Sequence, residues 1–145
     1  MQIYKNLIEN DTKIYTTLAN TSAFIFQHFE NLNWAGFYIN EDEKLYLHAF
    51  QGKIACTEIL FNRGVCGYAA RTKEPVVVDN VHTFPDHIAC DENSKSEMVI
   101  PLIVKGKLFG VLDIDAPIEK RFDKKTQKQL LIIAKILEEK LTNLL

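Results

Sequence analysis

Two apolar runs, residues 98–104 (MVIPLIV) and 108–115 (LFGVLDID), stand either side of Lys105-Gly106-Lys107. Runs rich in β-branched residues that are separated by a short glycine turn fold back on each other as an antiparallel hairpin. Residues 34–39 and 44–50, joined by the acidic turn Asn40-Glu41-Asp42-Glu43, repeat the pattern. Shorter strands are expected at 57–61 and 76–78. Ile14, Leu18, Thr21/Ser22, Ile25 and Phe29 fall at three- and four-residue steps, which predicts a helix from about residue 11 to 30 with Asp11 or Thr12 as N-cap. Leu130, Ile133, Leu137 and Leu141 predict a long terminal helix whose polar side is rich in Lys and Glu. Gly64 and Gly67 frame a shorter helix that ends at Lys73-Glu74-Pro75. Helices at both ends of five or six hairpin strands make an α+β fold, with the helices on one face of an antiparallel sheet. At 145 residues the chain is expected to form a single domain over 1–145.

Composition narrows the function classes. Hydrophobic residues make up 47% of the chain, which excludes a disordered polymer. Seventeen basic and nineteen acidic residues give a formal charge of −2, and no basic stripe marks a nucleic-acid partner. The start, MQIYKNLIENDTK, has neither the basic nor the apolar region of a signal peptide. The longest apolar run, 98–104, is too short to span a bilayer. A soluble, cytoplasmic protein is expected. Its three cysteines, Cys56, Cys66 and Cys90, are an odd set in a reducing compartment, and they read as buried structural thiols or as reactive or metal-binding ones.

The segment 79–97 (DNVHTFPDHIACDENSKSE) is long for a connection inside a compact domain, and such loops are usually functional or disordered. Val81, Phe84, Pro85, Ile88 and Ala89 give it apolar anchors that favour order. His82-x4-His87-x2-Cys90 offers zinc ligands, but too few without a distant fourth, and its spacing matches no common finger. Alternatively Cys90 is a redox nucleophile with Cys56 or Cys66 as its resolving thiol. Asp91 and Glu92 beside Cys90 should raise its pKa unless a histidine or helix terminus offsets them.

Strand alternation puts Asp113 and Asp115 on one face, with Val111 and Phe109. Glu97, at the head of the neighbouring strand, is placed to join them. Three converging carboxylates push at least one toward its protonated form, or bind a cationic group. Trp34 and Tyr38 share a strand face and become a binding wall if that face carries the acids. The start of the helix at Gly64 to Gly67 is a natural anion site.

Taken together, NWAGFY at 33–38, FQGKIACTEI at 50–59, RGVCGYAA at 63–70, VVVDNVHTFPDHIACD at 76–91, SEMVIPL at 96–102 and GVLDIDAP at 110–117 resemble the free methionine-(R)-sulfoxide reductases, a family built on a GAF domain. The resemblance runs nearly end to end. It implies reduction of free L-methionine (R)-S-oxide without cofactor or metal. It implies Cys90 as nucleophile, then a disulfide with Cys56 or Cys66 that thioredoxin or a similar dithiol reopens. It also implies Trp34 and Tyr38 around the substrate methyl group, and Glu97, Asp113 and Asp115 on the sulfoxide oxygen and amino group, one of these acids giving the proton, with Glu97 as the candidate to test. A sensory GAF module that binds a small ligand, or a zinc-binding structural protein, would be the rival. Related GAF domains commonly pair as a homodimer through their helices, although the sequence carries no separate mark of that.

Overall fold

A computed structural model describes residues 1–87, 90 and 92–145. In chain order the elements are α1 (Gln2–Ile8), α2 (Ile14–His28), β1 (Trp34–Glu41), β2 (Lys44–Gly52), β3 (Glu58–Leu60), α3 (Gly64–Thr72), β4 (Val76–Val78), β5 (Ser96–Val104), β6 (Lys107–Ala116) and α4 (Lys124–Leu144). One 3-10 turn, Val81–Thr83, interrupts the segment between β4 and β5. The six strands form one sheet in the order β3-β2-β1-β6-β5-β4, and every neighbouring pair is antiparallel. Among the described residues no helix is long and apolar enough to cross a membrane.

Alternation along the strands makes two different faces. One carries Ala35, Phe37, Met98, Ile100, Leu102, Leu112 and Ile114, and it is covered by Leu18 and Ile25 of α2 and Leu130, Ile133, Leu137 and Leu141 of α4. The end helices therefore share a face, as their periodicity requires. The other face presents Trp34, Tyr38, Val99 and Val111 and receives Val65, Cys66, Ala69 and Ala70 of α3. Asp123 caps α4 by accepting from the Thr126 N–H at 2.9 Å.

Three features depart from the sequence reading. The helix α1 was not expected: only Tyr4 and Ile8 are buried, while Ile3 and Leu7 face outward. Asp11 does not cap α2, which starts at Ile14 with Lys13 in the cap position. Its carboxylate instead accepts from the Thr17 hydroxyl at 3.2 Å and the Asn20 amide at 3.4 Å. Phe109 leaves the face of Val111 and packs with the helices. The cause is a bulge in the β5–β6 pairing: Leu102 pairs with Gly110, but Ile103 pairs with Leu108, so Phe109 has no opposite number. Glu138 of α4 accepts from the Ile103 N–H at this irregularity, at 2.6 Å.

Candidate active site

Sheet register assembles the site. The β1–β6 ladder sets Trp34 against Asp115, Gly36 against Asp113 and Tyr38 against Val111. The β5–β6 ladder sets Glu97 against Asp115 and Val99 against Asp113. Glu97, Asp115 and Trp34 thus stand on one rung, although 63 residues of sequence separate Trp34 from Glu97. All lie on the face away from the end helices. The β3–α3 connection lays Cys66 above them, because the first turn of α3 begins at Gly64 in a left-handed conformation (φ 68°).

The three acids are buried, with relative exposures of 6% for Glu97, 6% for Asp113 and 9% for Asp115. Burial, then the charges of Asp113 and Asp115, holds the Glu97 carboxyl well above the usual carboxylate range, which favours a proton shared by hydrogen bonding with the aspartates. Burial also raises Asp113, while hydrogen bonds from Glu97 and Cys66 partly offset that. Cys66 is free and buried. Burial and the neighbouring acids push its thiol far up, so it remains an S–H donor to Asp113. The Asp113 Oδ1 atom is left without a hydrogen-bond partner among the described residues.

Cys56 and Cys90 are joined by a disulfide, with Cα atoms 5.4 Å apart. The residues alone gave no ground for choosing between Cys56 and Cys66 as the partner of Cys90, although the family resemblance favours the position of Cys56; the fold gives it to Cys56. The disulfide closes a cavity of about 30 Å³ lined by Ile59, Gly64, Val65, Cys66, His87, Cys90, Ser94, Glu97, Asp113 and Asp115. Of the two loop histidines, His82 is exposed and His87 reaches the cavity. His87 Nε2 lies 3.8 Å from Glu97 Oε1, too long for a hydrogen bond. Burial and then His82 hold the His87 imidazole below its ordinary value, so it is neutral at pH 7. Asp91, expected to hinder Cys90, lies outside the described residues, as do the loop anchors Ile88 and Ala89.

Trp34 and Tyr38 share the face of the acids but do not line this closed cavity. Their rings stack 5.8 Å apart, and Trp34 stacks on Phe50 at 5.3 Å. Their polar tips hold the segment leading into Cys56: Trp34 Nε1 donates to the Lys53 carbonyl at 3.1 Å and the Tyr38 hydroxyl to the Cys56 carbonyl at 2.9 Å. Sequence reasoning missed Ile59, Val65 and Ser94 as lining residues, since nothing in their spacing distinguishes them from ordinary core and loop positions.

Curled around this face, fold and site define a class: residues 16–139 match the GAF domain family. A protein of Escherichia coli named free methionine-R-sulfoxide reductase is 46% identical over 127 residues, covering 88% of this chain and 77% of its own length. A yeast protein of the same name (Saccharomyces cerevisiae) is 41% identical over 144 residues, covering 94% and 80%. Among solved structures, the reduced form of the Staphylococcus aureus fRMsr superposes with a TM-score of 0.93 at 44% identity over 97% of this chain and 91% of that one. The free methionine-R-sulfoxide reductase of Neisseria meningitidis in complex with its substrate gives 0.90 at 41% identity, covering 94% and 82%. The chain belongs to the GAF domain family, in its free methionine-R-sulfoxide reductase branch.

Proposed function

We propose that the protein reduces free L-methionine (R)-S-oxide to methionine by thiol chemistry. The observation that carries this reading is the Cys56–Cys90 disulfide lying directly over a cavity of buried, partly protonated acids. In the reduced protein the Cys90 sulfur attacks the sulfoxide sulfur while Glu97 gives its proton to the sulfoxide oxygen. The oxygen then passes to the Cys90 sulfur as the substrate S–O bond and the transient S–S bond break, so methionine leaves and Cys90 is left as a sulfenic acid. The Cys56 thiol attacks that sulfur and water departs, leaving the disulfide. Two electrons have passed from two thiols to one sulfoxide, and the thiol hydrogens have left with the oxygen. A dithiol reductant of the thioredoxin type restores the pair, in keeping with a cytoplasmic setting where thiols are kept reduced.

Each surrounding group has a part. A protonated Glu97 makes the sulfoxide sulfur more electrophilic, which a thiol needs for an otherwise slow reaction. Asp113 and Asp115 take the substrate ammonium. The free N–H groups at the start of α3, beside Gly64 and Val65, suit its carboxylate. His87, neutral and on the same cavity as Cys90, can accept the thiol proton. A cavity of about 30 Å³ is far smaller than the hundreds of cubic ångströms of ordinary ligand pockets, so the roof lifts when the disulfide is reduced. Lifting the Lys53–Cys56 segment bares Trp34 and Tyr38 as the wall for the substrate methyl group. A site sealed in this way admits a free amino acid and not a polypeptide. The test is incubation with racemic methionine sulfoxide and dithiothreitol, followed by chiral separation. Loss of the R epimer alone is expected; binding without consumption, or consumption of both epimers, would overturn the reading.

A further inference from the structure

His87 and Cys90 belong to a sequence pattern too poor in ligands to hold a metal, and folding supplies the missing donors. Cys66 Sγ, a Glu97 oxygen and an Asp113 oxygen all lie within 4.8 Å of one another, and all three residues are buried. His87 Nε2 stands 3.8 Å from Glu97 Oε1. Ligand atoms around a tetrahedral ion with bonds of about 2.0–2.3 Å are spaced at roughly 3.5 Å, so small side-chain rotations close the set. A sulfur, an imidazole nitrogen and carboxylate oxygens are the donors zinc takes, whereas magnesium and calcium avoid the thiolate. Asp113 Oδ1 supplies an independent sign: it belongs to a side chain 6% exposed that lines the cavity, and it has no hydrogen-bond partner among the described residues. The cavity, at about 30 Å³, has room for an ion, since one water needs only about 10–15 Å³.

We propose that this cavity binds a zinc ion through Cys66, His87, Glu97 and Asp113, in competition with the amino-acid substrate. Binding displaces the Cys66 proton, and the Cys66 thiolate together with the Asp113 carboxylate offsets the two charges of the ion, as burial demands. Reduction of the disulfide releases Cys90 on the same cavity and adds a further thiolate, so the reduced protein binds zinc more tightly than the disulfide form. Zinc then withdraws the acids from substrate and ties up the thiols. The site itself stands apart from the reaction; the competition rests on the proposed function.

Calorimetric titration of chelator-treated, reduced full-length protein with zinc is expected to give one ion per chain. Cobalt should give tetrahedral ligand-field bands with a thiolate charge-transfer band. Cys66→Ser and, separately, Asp113→Asn should each weaken zinc binding at least tenfold, whereas His82→Ala, outside the cavity, should leave it within twofold. Far-ultraviolet circular dichroism checks that each variant is folded. Absence of the heat and of the cobalt bands in the wild type, or binding indifferent to both substitutions, overturns the site. In Cys90→Ser, zinc should raise the apparent Kd for methionine sulfoxide at least tenfold. An unchanged Kd would overturn the competition, while no methionine sulfoxide binding beside intact zinc binding would instead count against the proposed reaction.

Discussion

Replacing Glu97 with Gln removes a titrating group from the middle of the site while keeping its size and a hydrogen-bond donor. Burial first, and the two aspartates second, hold this carboxyl well above its ordinary value of 4.5, so the folded protein keeps a proton that the unfolded chain gives up. Where the folded state binds one proton more than the unfolded state, the unfolding free energy falls as pH rises, by about 1.4 kcal/mol per pH unit. The stabilising share of Glu97 is therefore complete below the unfolded value and lost as pH climbs to the folded one. Glu97→Gln has no such proton to keep. Urea unfolding of the disulfide form at pH 5, 6, 7 and 8 should show the variant gaining on the wild type by up to about 1.4 kcal/mol per unit, because groups remote from Glu97 cancel in the difference. The same substitution should slow single-turnover reduction of methionine sulfoxide by about 10²- to 10⁴-fold, the usual worth of a positioned general acid. Parallel stability curves would mean that Glu97 is already ionised in the folded protein, and the reasoning that makes it a proton donor would fail.

Other substitutions separate the remaining roles. Cys90→Ser should abolish turnover, while Cys56→Ser should still release one methionine per chain and then stall as a sulfenic acid that mass spectrometry detects; a second turnover in Cys56→Ser at the wild-type rate would remove Cys56 as the resolving thiol. Tyr38→Phe deletes the 2.9 Å bond to the Cys56 carbonyl, and the loss of about 1 kcal/mol should slow disulfide closure roughly fivefold, read as more dimedone-trapped Cys90. An unaltered trapping yield would count against that bond as a positioning device. Gly36→Ala builds a Cβ 2.4 Å from the Phe50 Cβ and 2.7 Å from Trp34 Cη2, so it should cost about 1–3 kcal/mol in urea unfolding. A wild-type midpoint would show that the aromatic stack yields more easily than its packing indicates.

Much of this architecture was legible because period and burial coincide. The stripe Leu130, Ile133, Leu137 and Leu141 announces α4, and the alternation through Asp113 and Asp115 puts both on one face, which the β1–β6 register then shows to be that of Trp34 and Tyr38. The helix α1 was not legible because its two anchors, Tyr4 and Ile8, are matched by two outward-facing apolar neighbours, Ile3 and Leu7. The choice between Cys56 and Cys66 was not legible either, since it depends on where α3 lies over the sheet. Helical packing buries Cys66 against Asp113, while the half-buried Cys56 remains within reach of Cys90. The histidines looked equivalent in sequence. Only the 3-10 turn at Val81–Thr83 and the chain reversal after it leave His82 outside and carry His87 to Glu97.

The bulge at Phe109 also bears on how such a protein tolerates changes in length. Side chains alternate strictly, so one residue gained or lost between Gly110 and Asp113 would turn both aspartates into the helical core and destroy the site. An indel between Phe109 and the Lys105-Gly106 tip meets a ladder that is already out of step, where an odd residue can be taken up without passing the shift along. The irregularity therefore insulates the base of the hairpin from its tip. Homologous hairpins are free to vary in length at one end while their chemistry stays in phase at the other.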